Sequence, residues 1–343
     1  MFKYETHCHT SPVSRCGKAS VAETVDFYKQ LGYDGVFITN HFLDGNIASE
    51  ARELPYCDQI DYYFSDYEKA AGLGREIGIK VLPGVELSYK GTDFLIYGLD
   101  KEWYKAHPEI LGMSKTEELA FMMEEGAFVI QAHPYREAHY IDHIRLFPRS
   151  VHGAEIINSN QAWESNEMAA VYADRYGLLK TAGSDNHWGG NVFSKLRERG
   201  FRPEIAGMCS STELLSVQDY IDMVRSGEMS IFLIDENGHA VIPDGATEIE
   251  EWAFADCRNL VRVDIPGSVK VIKFGAFSGC TGLTSVVIPE GVEEIQERAF
   301  RECTALTDVS LPKSLKRVSY DAFEDCPCEE AVMRECEARS IIY

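Results

Sequence analysis

The final third of the chain repeats one residue pattern at a constant spacing of 23 positions. Proline follows an aliphatic residue at Ile242, Ile265, Ile288 and Leu311, each 23 residues after the one before. The same step relates the phenylalanines Phe254, Phe277, Phe300 and Phe323 and the cysteines Cys257, Cys280, Cys303 and Cys326. A period of roughly 20 to 29 residues is typical of leucine-rich repeats, whose coils bury their apolar faces against neighbouring coils. The spacing therefore predicts a small solenoid.

The segments that flank this solenoid also carry structural signals. The Asn237-Gly238 dipeptide lies between two apolar runs and predicts a hairpin turn before the first coil. After the last coil, a Glu-rich tail predicts a helical cap. We interpret the repeat cysteines as structural, because a buried thiol usually behaves as a small apolar group. The predicted domains are 1–230 and 231–343.

Residues 1–230 alternate apolar, strand-like runs with helical segments. One predicted helix covers Asp66–Gly78 and leads into the apolar run Ile79–Glu86. Another covers Glu117–Gly126 and leads into Ala127–Ile130. This alternation favours an α/β fold, with a parallel sheet that is covered by helices and is either open or closed into a barrel.

Metal-binding types of side chain recur along this first region. The His7/His9 pair and the Asp185/His187 pair each place two ligands on one side of an extended segment. The candidate metal ligands are His7, His9, His41, Glu86, His133, Asp185 and His187. Those from His41 onward follow apolar runs, at the strand ends where α/β barrels have their active sites. Imidazole and carboxylate together suit zinc, manganese or iron, and an open site would activate water for hydrolysis.

Five segments resemble, in order and spacing, the motifs of the PHP (polymerase and histidinol phosphatase) family. They are Thr6–Thr10, Gly35–His41, Pro83–Glu86, Ala132–Arg136 and Ala182–His187. The resemblance implies a distorted (βα)7 TIM-like barrel, with two or three divalent metal ions that hydrolyse phosphoesters. It also implies that all the candidate ligands bind metal and that Glu86 bridges two ions. The repeats, in turn, resemble the BspA-like leucine-rich repeats of bacteria over about residues 240–327.

Some positions depart from the PHP pattern. Many members carry His or Asp shortly after the His-x-His pair, where this chain has Arg15-Cys16. Others have a further histidine after the bridging glutamate, where this chain offers only Asp93. Asn40 and Glu5 stand where the family has aspartates, and we expect both to orient ligands. We therefore expect two firmly held ions and a lost or changed ligand at a third position.

Three basic residues are candidates for substrate binding. Arg136 follows a candidate ligand motif and is the best candidate for a phosphate clamp, because guanidinium matches phosphate oxygens with paired hydrogen bonds. A surface ion pair is the alternative interpretation of Arg136. We expect Arg15 and Lys18 to attract an anionic substrate to the mouth of the site. Arg136, Asp185 and His187 are the candidate catalytic residues, the last two for proton transfer.

The net charge restricts the classes of partner. A formal charge of -22 disfavours nucleic acid and anionic membranes, and no apolar stretch approaches the roughly 20 residues needed to span a membrane. The absence of an apolar signal segment predicts a cytoplasmic location. The sequence favours a metal-dependent phosphatase acting on a small phosphorylated metabolite or a phosphorylated side chain. The alternatives are a phosphodiesterase or nuclease acting on nucleotides, and a metal-binding adaptor that captures a protein partner through its leucine-rich repeats.

Overall fold

The computed structural model describes residues 2–236, 240–242, 246–255 and 260–342. The chain divides into two compact units, one over Lys3–Ile231 and the other containing Phe232–Tyr343. The predicted Asn237-Gly238 turn and the repeat cysteine Cys257 lie outside the described residues. In the described part of the chain, no helix is long and apolar enough to cross a membrane.

The first unit alternates strands and helices along most of its length, as the sequence predicts. Its strands are β1 (Phe2–Cys8), β2 (Gly35–Ile38), β3 (Lys80–Pro83), β4 (Val85–Tyr89), β5 (Thr92–Tyr97), β6 (Phe128–Ala132), β7 (Gly153–Asn158), β8 (Leu179–Gly183) and β9 (Glu204–Ser210). Its helices are α1 (Val21–Gln30), α2 (Tyr56–Ile77), α3 (Lys101–Ala106), α4 (Lys115–Glu124), α5 (Trp163–Tyr176), α6 (Val192–Glu198) and α7 (Val217–Ser226). A further strand, β10 (Met229–Asp235), leads from the first unit into the second.

The longest helix, α2, begins well before its predicted start at Asp66. Its first residue is Tyr56, so several turns precede the predicted segment. Ile60, Tyr63 and Phe64 lie on these turns and are buried in the core of the first unit. Most helical stability in proteins comes from such packing, which explains why propensity alone placed the start too late.

One sheet of the first unit contains the strand order β9–β1–β2–β3. Strands β1, β2 and β3 are parallel, with Tyr4 opposite Gly35. Glycine is needed there because a Cβ at position 35 would lie 2.7 Å from the Tyr4 ring. The Thr39 N–H group donates to the Cys8 carbonyl at 3.0 Å, so the carboxyl ends of β1 and β2 stay side by side.

The other sheet of the first unit has the order β4–β5–β6–β7–β8. Strands β6, β7 and β8 are parallel, but β5 is antiparallel to both β4 and β6. The expectation of a parallel sheet is therefore wrong for β5. Lys90 and Gly91, with φ of 52° and 85°, form a two-residue turn between β4 and β5. So short a connection joins antiparallel strands, because parallel strands need a long crossover.

Single bridges link these two sheets at the ends of their strands. Cys8 pairs with Asn186, and His41 pairs with Glu86. Among the residues that the structure describes, the hydrogen-bonded ladders of the first unit remain two separate sheets that these single bridges connect. The first unit is thus an α/β structure with mixed strand directions, in which the bridges bring candidate ligands from different strands together.

The second unit is built from short parallel strands. They are β11 (Ala240–Val241), β12 (Glu248–Ile249), β13 (Val263–Asp264), β14 (Val271–Ile272), β15 (Ser285–Val287), β16 (Glu294–Ile295), β17 (Asp308–Ser310) and β18 (Arg317–Val318). One ladder contains β11–β13–β15–β17 and the other contains β12–β14–β16–β18. Paired residues such as Ile272 and Ile295 are 23 positions apart, so the sequence period equals one coil. The final helix is α8 (Glu329–Ala338).

Stacked aromatic rings form the centre of the coils. Phe254, Phe277, Phe300 and Phe323 lie one above another with ring centroids 5.0 to 5.1 Å apart and nearly parallel planes. The last three are fully buried. Each ring fills the space above the same ring of the preceding coil, which is why the register of the repeat is constant.

The repeat cysteines connect one coil to the next. Each of the three described repeat thiols donates a hydrogen bond to a phenylalanine carbonyl of the preceding coil. The bonds are Cys280 Sγ to Phe254 O at 3.0 Å, Cys303 Sγ to Phe277 O at 3.1 Å and Cys326 Sγ to Phe300 O at 2.9 Å. The carbonyls of Phe277 and Phe300 also accept backbone N–H groups, from Cys280 at 3.2 Å and from Cys303 at 3.3 Å, so each thiol adds a second bond that comes from the next coil.

Candidate metal centre

The seven predicted ligands come from different strands but lie in one place. His7 is in β1, His9 follows it, His41 follows β2, and Glu86 is in β4. The remaining ligands follow strands β6 and β8 and are His133, Asp185 and His187. Six of the seven are buried, and His187 is partly exposed. The fold therefore gathers imidazoles and carboxylates into a nearly dry cluster.

Glu86 lies at the centre of this cluster. Its Oε1 atom is 3.2 Å from His7 Nε2 and 3.4 Å from His133 Nε2. Its Oε2 atom is 3.3 Å from His9 Nε2 and 2.6 Å from His41 Nδ1. The two oxygens thus face different pairs of imidazoles, an arrangement that suits a carboxylate bridging two cations.

The hydrogen-bond state of these atoms tests whether they fit a metal. Both oxygens of Glu86, both ring nitrogens of His133 and Nδ1 of His41 are buried and form no well-aligned hydrogen bond in the described part of the chain, although His41 Nδ1 and Glu86 Oε2 are only 2.6 Å apart. Leaving a buried polar group unpaired is costly, and such groups need an explanation. A divalent cation would satisfy these atoms together, so the donor set fits metal.

Two ligand positions have an unusual backbone. His133 has a φ of 26° and Asp185 a φ of 51°, both positive. Positive φ is uncommon for residues other than glycine, and such strain concentrates at functional sites. Asp185 Oδ1 thereby lies 3.1 Å from His9 Nε2, and Asp185 Oδ2 lies 3.4 Å from Asn160 Nδ2.

Ligand atoms in the described residues form three overlapping groups, each with its atoms within 4.8 Å of one another. The groups are His7–His9–Asp185, His7–Glu86–His133 and His9–Cys16–His41–His187. The first two contain only predicted ligands. The third adds Cys16, which occupies the position where the sequence departs from the PHP pattern. Asp93 belongs to none of these groups.

Asp93 instead pairs with Arg136. Its Oδ2 atom accepts from Arg136 Nη1 at 2.9 Å and lies 3.7 Å from His133 Nε2. Arg136 also donates to the Tyr140 hydroxyl. Arg136 is therefore held at the edge of the cluster by an ion pair with the buried Asp93, and its role as a phosphate clamp stays a prediction.

Glu155 orients two of the ligands from behind. Its Oε1 atom is 3.0 Å from His7 Nδ1, and its Oε2 atom accepts from the His133 N–H at 3.1 Å and from Asn158 Nδ2 at 2.8 Å. Because a carboxylate only accepts, Nδ1 of His7 carries a proton, and the other ring nitrogen, Nε2, would present its lone pair to a metal ion. This is the usual support of a metal-binding histidine.

A second polar network supports the loops that carry His9 and His41. Asn40 accepts from the Thr10 N–H at 2.7 Å, and its own Nδ2 donates to Thr10 Oγ1 at 2.9 Å. The buried Asp66 accepts from Thr10 Oγ1 at 2.9 Å. Asn40 thus lies behind the ligands, in the position expected from the sequence.

Glu5 also supports the ligands through the backbone. One of its oxygens accepts from the His7 N–H at 2.8 Å and from the Ser184 N–H at 3.0 Å. These bonds fix the end of β1 against the segment that leads to Asp185. Burial raises the pKa of Glu5 to about 7, although these hydrogen bonds lower it.

Electrostatics favour ionised carboxylates in the cluster. Burial alone would raise the pKa of Glu86, but His41 and His7 hold it well below its ordinary value. Burial also opposes ionisation of Asp185, but His7 and His187 keep its pKa well below the ordinary value. Burial lowers the pKa of His9 to about 3, so its ring is neutral. Nearby carboxylates instead raise the pKa of His7 and His41 well above the ordinary value in spite of burial, so these two imidazoles would release a proton when metal binds.

The thiol of Cys16 is also activated. Burial would raise its pKa, but hydrogen bonds with His187 and His41 lower it to about 6. The thiolate, which is the form that binds metal, is therefore the main form at neutral pH.

The cluster opens into a cavity of about 700 Å³, a volume typical of small-molecule sites. Lys18 and Arg136, which the sequence analysis predicts to bind substrate, line this cavity. Arg15 is exposed and is not among the lining residues in the described part of the chain. Trp188 and Tyr140 add aromatic surface to the same cavity.

Arg199 also lines the cavity, and sequence reasoning missed it. It donates to the Asn160 side chain and stacks over the rings of Phe201 at 4.7 Å and Trp188 at 5.9 Å. No motif surrounds Arg199 in the sequence. The preceding helix α6 brings it to the cavity, so only the fold identifies it.

Comparison with known proteins agrees with this organisation. Residues 234–339 match the family model for the BspA type leucine rich repeat region, in six copies. The match confirms the predicted repeats and covers less than half of the chain. No curated protein matches this chain.

Two solved structures illustrate the similarity. A two-domain protein from Bacteroides vulgatus that contains a predicted PHP-like metal-dependent phosphoesterase has a TM-score of 0.51 and 14% identity; the match covers 70% of this chain and 66% of that chain. A leucine-rich repeat protein from Bacteroides ovatus is 34% identical, with a TM-score of 0.25, and the match covers 26% of this chain and 23% of that chain. The first likeness confirms the PHP-like fold that the motifs predict. At 14% identity it concerns the fold and not the reaction.

Proposed function

We propose that this protein is a metal-dependent phosphoric ester hydrolase, and specifically a phosphatase. Its substrate would be a small phosphorylated metabolite or a phosphorylated side chain. The observation that carries the proposal is the position of Glu86, whose oxygens face His7 and His133 on one side and His9 and His41 on the other. The PHP-like fold supports the same reaction class.

The ligand groups His7–His9–Asp185 and His7–Glu86–His133 would hold two neighbouring ions. Mixtures of imidazole and carboxylate accept zinc, manganese and iron. When bound, such ions would polarise phosphoryl oxygens and lower the pKa of a coordinated water.

Basic side chains around the cavity would bind the phosphate. Lys18, Arg136 and Arg199 line it in a chain whose formal net charge is -22. Asp93 keeps Arg136 in place through its 2.9 Å contact, so little side-chain entropy is lost when the guanidinium meets phosphate oxygens.

Asp185 is our candidate for accepting the proton of the attacking water. It is ionised at neutral pH, because neighbouring imidazoles outweigh the effect of burial on its pKa. It also lines the cavity, so its carboxylate lies between the ligand cluster and the space in which a substrate would bind.

We further propose that the two sheets of the first unit belong to one distorted (βα)7 TIM-like barrel. The bridges Cys8–Asn186 and His41–Glu86 support this, because each joins a strand end of one sheet to the other sheet. Both bridges involve segments that carry ligands, so the barrel and the site would form together.

Metal content and hydrolysis of p-nitrophenyl phosphate and its bis ester test the proposed function. The purified full chain should bind at least two divalent ions and release p-nitrophenol from the monoester faster than from the diester. A His7→Ala, His9→Ala variant should lose both metal and turnover. A His143→Ala variant is the matched control, because His143 is an exposed histidine outside the cluster.

Two results would contradict the proposal. Absence of bound metal after incubation with zinc, manganese or iron would exclude the metal centre. Bound metal with no turnover of either ester, for each of the three metals, would exclude the hydrolase and leave a metal-binding protein. Faster hydrolysis of the diester would retain the hydrolase but replace the phosphatase by a phosphodiesterase.

A further inference from the structure

Asn160 lies in the turn that follows β7, and hydrogen bonds hold the backbone of this turn in place. The Asn160 N–H group donates to Asn158 Oδ1 at 2.9 Å. In the preceding residue, the Ser159 N–H group donates to the Gly183 carbonyl at 3.2 Å, and Ser159 Oγ accepts from the Ala206 N–H at 2.7 Å. The turn is therefore attached to both β8 and β9.

The Asn160 side chain lies between two groups that the proposed reaction uses. It is 7% exposed and lines the cavity. Its Oδ1 atom accepts from Arg199 Nη1, and its Nδ2 atom lies 3.4 Å from Asp185 Oδ2. Because a guanidinium only donates and an ionised carboxylate only accepts, the amide has one favourable orientation. An aspartate of the same shape could not donate to Asp185, and an alanine could serve neither group.

The two oxygens of the Asp185 carboxylate have different surroundings. Oδ1 is 3.1 Å from His9 Nε2 and 3.6 Å from His7 Nε2. Oδ2 is 4.0 Å from His133 Nε2 and is closer to the amide of Asn160. Oδ1 therefore faces the ligand cluster, and the contact with Asn160 opposes rotation of Oδ2 away from the cavity.

Arg199 also depends on Asn160 for its orientation. The guanidinium stacks over the rings of Phe201 and Trp188, which fix its plane but offer no hydrogen-bond acceptor in the way an amide does. Whereas the carboxylate of Asp93 holds Arg136 through an ion pair, the acceptor that holds Arg199 is an uncharged amide oxygen. Asn160 thus orients Arg199 without neutralising the charge that would attract a phosphate.

We propose that Asn160 is a positioning residue whose amide directs Asp185 Oδ2 and the Arg199 guanidinium into the same cavity. The inference rests on the proposed function, in which Asp185 accepts the proton of the attacking water and Arg199 binds the phosphate. Asn160 itself has neither role. It links proton transfer to phosphate binding through the two ends of one amide.

A double-mutant cycle on the full chain tests the inference. The variants are Asn160→Ala, Arg199→Ala and their combination, together with the isosteric Asn160→Asp. Gln218→Ala is the matched control, because the exposed Gln218 amide donates to the Asp222 carboxylate at 2.8 Å on the surface of α7. For each protein, kcat and KM for p-nitrophenyl phosphate, the metal content and the circular dichroism spectrum are measured.

Asn160→Ala should lower kcat and raise KM, each about 3- to 10-fold, because each end of the amide loses one modest hydrogen bond. When Arg199 is already alanine, the same change should leave KM nearly unchanged but still lower kcat. Asn160→Asp fills the same space but repels Asp185 and neutralises Arg199. It should therefore lose at least as much kcat/KM as Asn160→Ala, with unchanged metal content. Gln218→Ala should behave as the wild type.

Three outcomes would overturn the inference while the activity of the wild type leaves the proposed function intact. One is an Asn160→Asp variant with the kcat and KM of the wild type, which would show that Asn160 only fills space. Another is a double variant in which the two effects on KM multiply, because Asn160 would then not act through Arg199. The third is loss of bound metal in Asn160→Asp, which would assign Asn160 to metal retention.

Two further results complete the test. If Asn160→Ala does not fold, the isosteric Asn160→Asp decides the question by the same criteria. A wild type that binds metal but hydrolyses neither p-nitrophenyl phosphate nor its bis ester would overturn both the inference and the proposed function.

Discussion

Replacing Glu155 by glutamine should weaken metal binding although Glu155 is not itself in a ligand group. All three partners of its carboxylate are donors: His7 Nδ1 at 3.0 Å, the His133 N–H at 3.1 Å and Asn158 Nδ2 at 2.8 Å. The amide of glutamine has one oxygen and one NH₂ group. One orientation therefore turns the NH₂ group towards two donors, and the other turns it towards His7 Nδ1.

Either orientation of the introduced amide has a calculable consequence. Facing His7, the NH₂ group moves the ring proton to Nε2, the atom that would bind the ion. Facing His133 and Asn158, it breaks two hydrogen bonds to a charged group, each of which contributes about 1.5 to 3 kcal/mol. Loss of a partner behind a metal-binding histidine typically lowers metal affinity about 10- to 100-fold. That range corresponds to roughly 1.4 to 2.7 kcal/mol.

A competitive titration of zinc against a chromophoric chelator measures this change directly. The expected result for Glu155→Gln is an unchanged number of ions and a dissociation constant raised about 10- to 100-fold. The control is Glu164→Gln, because Glu164 is exposed in the first turn of α5. Circular dichroism spectra of both variants show whether the fold is retained.

The reasoning fails if Glu155→Gln binds zinc within twofold of the wild type while remaining folded. It also fails if the control loses affinity to the same extent. In either case, the hydrogen bond between Glu155 and His7 would not be what prepares the His7 imidazole for metal binding.

Three further changes have defined outcomes. Burial lowers the pKa of His152 below its ordinary value of 6.5, so the folded state holds fewer protons than the unfolded state and loses stability as the pH falls below about 6.5. In urea unfolding at several pH values, His152→Asn should reduce this loss of stability at low pH, and His143→Asn should leave it unchanged. Phe300→Ala should lower the free energy of unfolding of the repeats by about 3 to 5 kcal/mol, because the ring is fully buried between two others. Hydrogen exchange should accelerate across residues 260–342 in this variant, whereas Val287→Ala, at a 66% exposed position, should have little effect. Arg199→Ala should lower kcat/KM for p-nitrophenyl phosphate about 10- to 100-fold, mainly by raising KM, because it removes the proposed charged hydrogen bond to the phosphate, worth roughly 1.5 to 3 kcal/mol. An unchanged KM would exclude Arg199 from phosphate binding.

The repeat architecture was predictable because the same interactions recur in every coil. Phe277, Phe300 and Phe323 recur at a constant spacing in the sequence, and their rings stack one on another in neighbouring coils. No long-range information was needed, since each coil packs on the coil next to it. The PHP-like fold was predictable from ordered motifs at strand ends, which identified the candidate ligands before their distances were known.

Features that depend on contacts between distant segments were not predictable. The sequence indicated a changed ligand near Cys16, but the proximity of Cys16 to His187 depends on the bond from the Lys18 N–H to the His187 carbonyl. Arg199 carries no motif and reaches the cavity only through the fold. The antiparallel direction of β5 follows from the short Lys90-Gly91 turn, a local feature that the prediction from strand–helix alternation did not take into account.

The buried charges of the first unit explain why a metal centre and this fold belong together. Glu86 and Asp185 are ionised, although ionised carboxylates in a dry environment cost several kcal/mol when they lack a counter-charge. The groups that face Glu86 are imidazoles, and that of His9 is neutral because its pKa is about 3. The carboxylates around His7 raise its pKa well above the ordinary value in spite of burial, which shows that they create a strong demand for positive charge. Divalent cations would meet this demand at the same atoms that lack hydrogen bonds, which is the electrostatic reason for proposing a metal centre here.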